Sequence, residues 1–256
     1  MSSLFNRLLI ILVTGLMTNV AQAQTTKPVF ALLDFKPFGN STSNGFDGIF
    51  ARSMDFIQAE SGIDVTTQML PIPRSLKAIA DGSAQLIITG AVSRLLENTD
   101  SLGIIGCSRI IVLTSAKSGI KNLADLEGKN IGFVASGFLD KLYSNKFDLI
   151  PHRIRNSQSM VAMLDRNRID GFFISDVVID AFETPASGSS MIKVDWRSRL
   201  GERIEVRKIA THLRIAKDYG SRELSDRLRS AVAAGNAKES FSAIYKSYGV
   251  LSGGKC

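Results

Sequence analysis

Short apolar runs alternate along this chain with segments of helical periodicity, and that alternation is what most constrains its fold. Val29 to Leu33 has the composition of a buried strand, ended by Asp34-Phe35-Lys36-Pro37-Phe38-Gly39, after which Gly39 to Asn44 is expected to be a polar loop. From Phe46 onward, Ile49, Phe50, Met54 and Ile57 recur at helical spacing as far as Ser61-Gly62. Val65 to Leu70 alternates as a strand, Pro71-Ile72-Pro73 breaks it, and a short helix around Leu76 and Ile79 ends at Asp81-Gly82. Leu86 to Thr89 is the next buried strand. A β-α-β-α-β order requires a parallel sheet covered by helices, with ligand-facing loops at the carboxyl ends of the strands. In this half those ends are Asp34 to Phe38, Pro71 to Arg74 and Thr89 to Arg94.

The second half repeats the logic. After a polar connection, Arg109 to Thr114 is a β-branched strand. The stretch DLEGKNIGFVASGF, Asp125 to Phe138, reads as a turn on Gly128, a strand Ile131 to Ala135, and a Ser136-Gly137 break that opens a helix. A small-residue turn at a helix start leaves backbone N–H groups free for an anionic or polar ligand group. His152 to Arg155 follows, then a helix carrying Met160, Val161 and Leu164, and then Phe172 to Ile174, a buried strand ending at Ser175-Asp176. Ile209 to Ile215 is a returning strand. Two closing helices, separated by Gly235, carry Leu224, Leu228 and Val232 on one and Phe241, Ile244, Tyr245 and Tyr248 on the other, an aromatic stripe expected in the core.

The amino terminus carries Arg7, an apolar run Leu8 to Met17 and Ala21-Gln22-Ala23, the pattern of a secretory signal peptide over residues 1–23. Export to the periplasm is therefore expected, with the mature chain starting at Gln24. No later stretch approaches ~18 continuous apolar residues, so the protein is not expected to be membrane-embedded. The net charge of +7 comes from Lys and Arg scattered among acids, which describes a solvated positive surface and not a nucleic-acid footprint. Such a field favours anionic ligands. Cys107 and Cys256 are the only cysteines; an oxidising compartment allows them to pair, and their sequence positions leave open whether they do. No Ser-His-Asp order, metal-ligand spacing or phosphate loop occurs, so neither a metal nor a cofactor is expected.

Several segments together carry a family resemblance. They are Phe35-Lys36-Pro37-Phe38 with Gly45-Phe46-Asp47, the helix-Gly82-strand element, DLEGKNIGFVASGF, RIDGFFISD at Arg168 to Asp176, and Ile244 to Gly249. In this order they resemble the family 3 extracellular solute-binding proteins, the periplasmic receptors of polar amino acid ABC transporters, over nearly all of the mature chain. PIPRSLKAIADG, Pro71 to Gly82, is similar to a branch whose ligands are often unassigned. The resemblance implies a two-lobed α/β fold of the type II periplasmic-binding kind, each lobe a mostly parallel sheet flanked by helices and the two joined by hinge strands. Lobe 1 would be residues 24–109 plus 214–256 and lobe 2 residues 110–213, with hinges near Cys107 to Ile111 and His212 to Ile215. A monomer is expected, closing on a small-molecule ligand and read by an ABC permease or a membrane sensor.

The resemblance also nominates site residues. Phe35, two residues before Pro37, stands where an aromatic stacks on the ligand, and Asp34 is a weaker candidate beside it. An arginine past the Leu86 to Thr89 strand normally clamps a carboxylate. Arg94 is the nearest counterpart, about three residues early, and Arg74 is an equal candidate, with Thr89 at the strand end itself. Ser136, Gly137 and Phe138 match the ligand-binding turn without its threonine. The aspartate that takes the ligand's ammonium group falls five residues after the aspartate of the turn before it; counting from Asp170 gives Ser175, with Asp176 next. Neighbouring strand residues face opposite ways, so only a bulge would return Asp176 to the cleft. These departures point to a small organic anion or a zwitterion as ligand. Cyclohexadienyl dehydratases share the fold, and catalysis would need an acid or base such as Glu97 or Asp176 against an anion clamp. With His152 and His212 assigned structural roles, a binding protein and not an enzyme is expected.

Overall fold

The computed structural model describes residues 27–90, 93–134, 139–183, 197–251 and 256. In chain order the elements are β1 (Val29–Leu33), β2 (Asn40–Thr42), β3 (Gly45–Asp47), α1 (Ile49–Ser61), β4 (Thr66–Leu70), α2 (Ile72–Ala80), β5 (Leu86–Gly90), α3 (Ser93–Asn98) and β6 (Thr99–Ser115). Then follow β7 (Asn130–Val134), α4 (Leu139–Tyr143), β8 (Ile150–Ile154), α5 (Ser157–Asp165), β9 (Gly171–Ser175), α6 (Asp176–Glu183), β10 (Leu200–Ala216), α7 (Arg222–Ala237) and α8 (Ser240–Ser247). One eight-stranded sheet runs β4-β1-β5-β10-β6-β9-β7-β8. Its outer trios, β4-β1-β5 and β9-β7-β8, are parallel, and the pairings that involve β10 and β6 are antiparallel. The near-continuous apolar runs of β1, β5 and β9 are what a strand covered on both faces requires.

The structure changes several local expectations. The polar segment after Gly39 pairs as a hairpin, Asn40 against Asp47 and Thr42 against Gly45. Phe46 therefore lies on a strand, 41% exposed, and not on the first helix. α1 starts only after Gly48, whose φ of 118° suits glycine and where a Cβ would stand 2.6 Å from the Phe38 carbonyl oxygen. The last two helices do not divide at Gly235, which lies inside α7 under the Phe241 ring; the chain turns instead at Lys238 and Glu239, the latter with a left-handed φ of 55°. The connection before Arg109 is α3 followed by the first half of β6.

β6 and β10, each 17 residues long, run antiparallel through the whole molecule. β5 pairs with β10 only at Thr211 to Ile215, and β9 pairs with β6 only at Ile110 to Thr114. Between these two docking zones the sheet narrows to two strands, where Cys107, Ser108 and Arg109 face Ala210, Ile209 and Lys208. On the returning strand the narrowing precedes the expected hinge segment, His212 to Ile215, whose four residues are paired to β5.

Two sets of buried side chains follow this division. The first gathers β1, β5, α1, α7 and α8 around Phe30, Met54, Leu86, Leu228, Phe241 and Tyr245. In the second half, alternation splits the core by sheet face: Ile111, Leu113, Phe172 and Ile174 go to one side with α5, and Ile110, Val112 and Phe173 to the other with Phe133 and Tyr143. α6 belongs to both halves. Val177 and Ala181 pack into the first core, and Val178 and Ile179 into the second. Cys107 and Cys256 form a disulfide with a Cα–Cα distance of 5.2 Å, and the Lys208 ammonium donates to the Cys256 main-chain oxygen at 3.2 Å. Both anchors of that terminal residue therefore lie on the two-stranded neck.

Candidate functional site

The carboxyl ends of the parallel strands converge where the two halves meet. β1 ends in a tight turn in which the Phe38 and Gly39 N–H groups both donate to the Phe35 carbonyl, at 2.8 and 3.2 Å, across a cis Lys36–Pro37 peptide. This turn presents Phe35 and Phe38, ring centroids 6.2 Å apart, to the core of the opposite half. Phe38 is backed by Phe50 at 4.5 Å. Phe38 packs against both sets of buried side chains, and Phe35 against the second. Asp34, next to Phe35, is exposed.

Arg74 lies in the first turn of α2 and is exposed, so its guanidinium stands in solvent at the carboxyl end of β4. Thr89 is buried in β5 opposite His212. Arg94 falls in α3, and its side chain lies outside the described residues, as do Ser136, Gly137 and Phe138 between β7 and α4. Glu97 is exposed on α3. The histidines are bound elsewhere: His152 Nε2 to Asn130 Oδ1 at 2.9 Å, and His212 Nδ1 to Ser101 Oγ at 2.8 Å, with burial and then the Arg214 charge holding His212 below its ordinary pKa.

Ser175 and Asp176 take different roles. β9 ends at Ser175, opposite Ile110, without a bulge in its pairing to β6. The Ser175 Oγ is buried and has no hydrogen-bond partner among the described residues. Asp176 opens α6 and is 3% exposed. One of its oxygens accepts from the Arg109 and Val177 main-chain N–H groups at 2.9 and 2.8 Å, and the other from Arg109 Nε at 2.7 Å. The bond to Asp176 raises the Arg109 pKa above its ordinary value. Glu205 Oε2 stands 4.0 Å from Arg109 Nη1, and Arg203 reaches Asp180 one helical turn along α6 at 3.3 Å. Deep burial, with the Asp176 charge nearby, raises the pKa of Tyr245 in α8, so its hydroxyl stays neutral.

Sequence reasoning missed Arg109. It sits at the start of an apolar run, where a lone charge looks like a strand's solvent edge, and its partner is 67 residues away. Nothing local announces such a pair. Three or more His, Cys, Asp or Glu side chains grouped as metal ligands do not occur among the described residues, and none of the described helices is long and apolar enough to cross a membrane.

No family model and no curated protein matches this sequence. Solved structures do match. The GluR0 ligand-binding core from Nostoc punctiforme in complex with L-glutamate is 15% identical with a TM-score of 0.69, covering 86% of this chain and 98% of that one. The arginine-, lysine-, histidine-binding protein ArtJ from Geobacillus stearothermophilus is 15% identical with a TM-score of 0.68, covering 87% and 95%. The substrate binding protein of an amino acid ABC transporter is 13% identical with a TM-score of 0.66, covering 86% and 97%. Each of these is named as a ligand-, amino-acid- or substrate-binding protein or domain. With its eight-stranded sheet, its paired long strands and these neighbours, the chain has the α/β fold of the type II periplasmic-binding proteins.

Proposed function

We propose that this is an exported, periplasmic solute-binding protein that captures a small polar or anionic organic ligand, an amino acid or related compound, between its lobes and delivers it to an ABC permease. The observation that carries this is the neck: three paired positions join two halves, with Phe35 after β1 packed against the core of the second half and Ser175 at the end of β9. A two-stranded ribbon twists without losing its ladder, which is the mechanical requirement for hinged capture. The expected division of residues 24–109 with 214–256 and 110–213 shifts on the returning strand: with the pivot at 107–109 and 208–210, Thr211 to Leu213, paired to β5, go with the first lobe. Arg74 and Arg94 are the proposed anion partners and Thr89 a further ligand contact, with Ser136, Gly137 and Phe138, which lie outside the described residues, nominated by the sequence alone. The amino acid ligands named for ArtJ and GluR0 support a small charged solute, and the ABC transporter binding protein supports delivery.

The test is a thermal-shift screen of amino acids and organic anions. A ligand at about 100 times its Kd stabilises the folded state by ~2.7 kcal/mol, a shift readily seen. The Phe35→Ala variant is expected to bind the ligand found at least about tenfold more weakly, a loss of ~1.4 kcal/mol. If Arg74→Ala and Arg94→Ala both bind it unchanged, the anion clamp is wrong. The likeness to the Bordetella pertussis BvgS VFT2 domain, 14% identical with a TM-score of 0.68, allows a second use of the same cleft, in which closure signals to a membrane sensor. Stimulation of a reconstituted permease ATPase by the liganded protein separates delivery from signalling, and turnover of prephenate or arogenate would replace both with a dehydratase.

A further inference from the structure

A cationic group enters a cleft out of water only if a carboxylate there is free to receive it, because burying an unpaired charge is costly. At the junction described above, Asp176 is the buried carboxylate, and the protein itself holds both of its oxygens. One lies 2.7 Å from the Arg109 guanidinium, and the other accepts two main-chain N–H groups. The position beside it offers a neutral hydroxyl, the buried Ser175 Oγ with no partner among the described residues. Asp34 is exposed at the end of β1, where water screens its pull on a cation. Positive charge is present: Arg74 is exposed at the start of α2, and Arg109 is 45% exposed at the neck, with Glu205 Oε2 4.0 Å from its Nη1.

Resting on the solute-binding assignment, we propose that the ligand is an organic anion without an ammonium group, and that Arg109 excludes α-amino acids by holding Asp176. Asp176 is then a positioning residue, tying the start of α6 to the neck, and the serine beside it donates to a ligand oxygen. The chemical class is a mono- or dicarboxylate.

The experiment uses matched pairs that differ only in the amino group: L-glutamate and glutarate, L-aspartate and succinate, L-phenylalanine and 3-phenylpropionate. Calorimetry on the mature wild-type protein is expected to show the deaminated member of at least one pair binding ten times or more tighter than its amino acid, a difference of ~1.4 kcal/mol. Equal or tighter binding of the amino acid overturns the inference and leaves the solute-binding assignment standing; binding of neither member of any pair overturns both. Two variants test Asp176 itself. In ligand-free protein, Asp176→Asn is expected to lower Tm by several degrees, because Arg109 loses its counter-charge; an unchanged Tm with lost ligand binding would make Asp176 a ligand contact and overturn the proposal. Arg109→Met, which removes the guanidinium from one Asp176 oxygen and leaves the two main-chain donors on the other, is expected to shift preference toward the amino acid member. An unshifted preference counts equally against it.

Discussion

Asp47, at the end of the β2–β3 hairpin, shows how single groups fasten the carboxyl-terminal helix to the first lobe. The Tyr248 hydroxyl donates to Asp47 Oδ1 at 2.6 Å and accepts the Gly48 N–H at 2.9 Å, and Arg52 Nε donates to the same carboxylate oxygen at 2.9 Å. Burial pushes the Asp47 carboxyl up, but the bonds from Tyr248 and Arg52 outweigh it and leave the group below its ordinary pKa. Burial and then the Asp47 bond push the Tyr248 hydroxyl up to about 12, so it remains a donor at neutral pH. A carboxylate with a depressed folded pKa contributes stability that is fully present above its unfolded value, about 4, and is lost as pH falls through the folded value. Tyr248→Phe is therefore expected to cost ~1–2 kcal/mol at pH 7, an amount typical of a bond to a charged acceptor. That difference should begin to shrink in urea titrations below about pH 4 and be lost as pH falls through the lower folded value of Asp47, where its charge is titrated away.

Whole elements were legible where the signal was local and illegible where a distant strand decided. The periodicity of Ile49 to Ile57 and the apolar runs of β1, β5 and β9 locate these elements because each must bury a face. The first half of β6 carries Ser101, Gly103 and Ser108 and looks like a linker, yet it is a strand because β10 pairs along it from Thr99 to Ser115. β10 hides its first half in the same way under Glu202, Arg203, Glu205 and Arg207. Of the candidate site positions, Phe35 and Ser175 can be placed at strand ends from the sequence, whereas Arg109 joins Asp176 only through the fold. Gly235 shows the same limit, since a glycine near a helix end resembles a stop signal but here makes room for a ring. A Cβ there would lie 2.5 Å from Phe241 Cε2 and 2.9 Å from Phe56 Cε1. Gly235→Ala is accordingly expected to destabilise by ~1–3 kcal/mol despite its better helix propensity, measurable as a lower urea midpoint with unchanged m-value.

For the molecule as a whole, the disulfide and the neck act together. Cys107 and Cys256 close a separation of 149 residues, so opening the bond releases a large constraint on the unfolded chain. Reduction, or Cys256→Ser, is expected to lower unfolding free energy by ~2–4 kcal/mol, seen as a shifted urea midpoint between oxidised and reduced protein. An unshifted midpoint would mean that the tail contributes nothing to the fold. Because Cys256 is fastened at Cys107 and held by Lys208, it sits on the two-stranded neck that we propose as the pivot. Displacement grows with distance from a pivot, so a reporter on the tail would barely move. The widest arc belongs to the outermost strands, β4 and β8, where Thr66 and Ile150 are exposed at opposite ends of the sheet. Dyes on that pair would use the lobes as lever arms, turning a slight twist across three rungs into a distance change that single molecules can report.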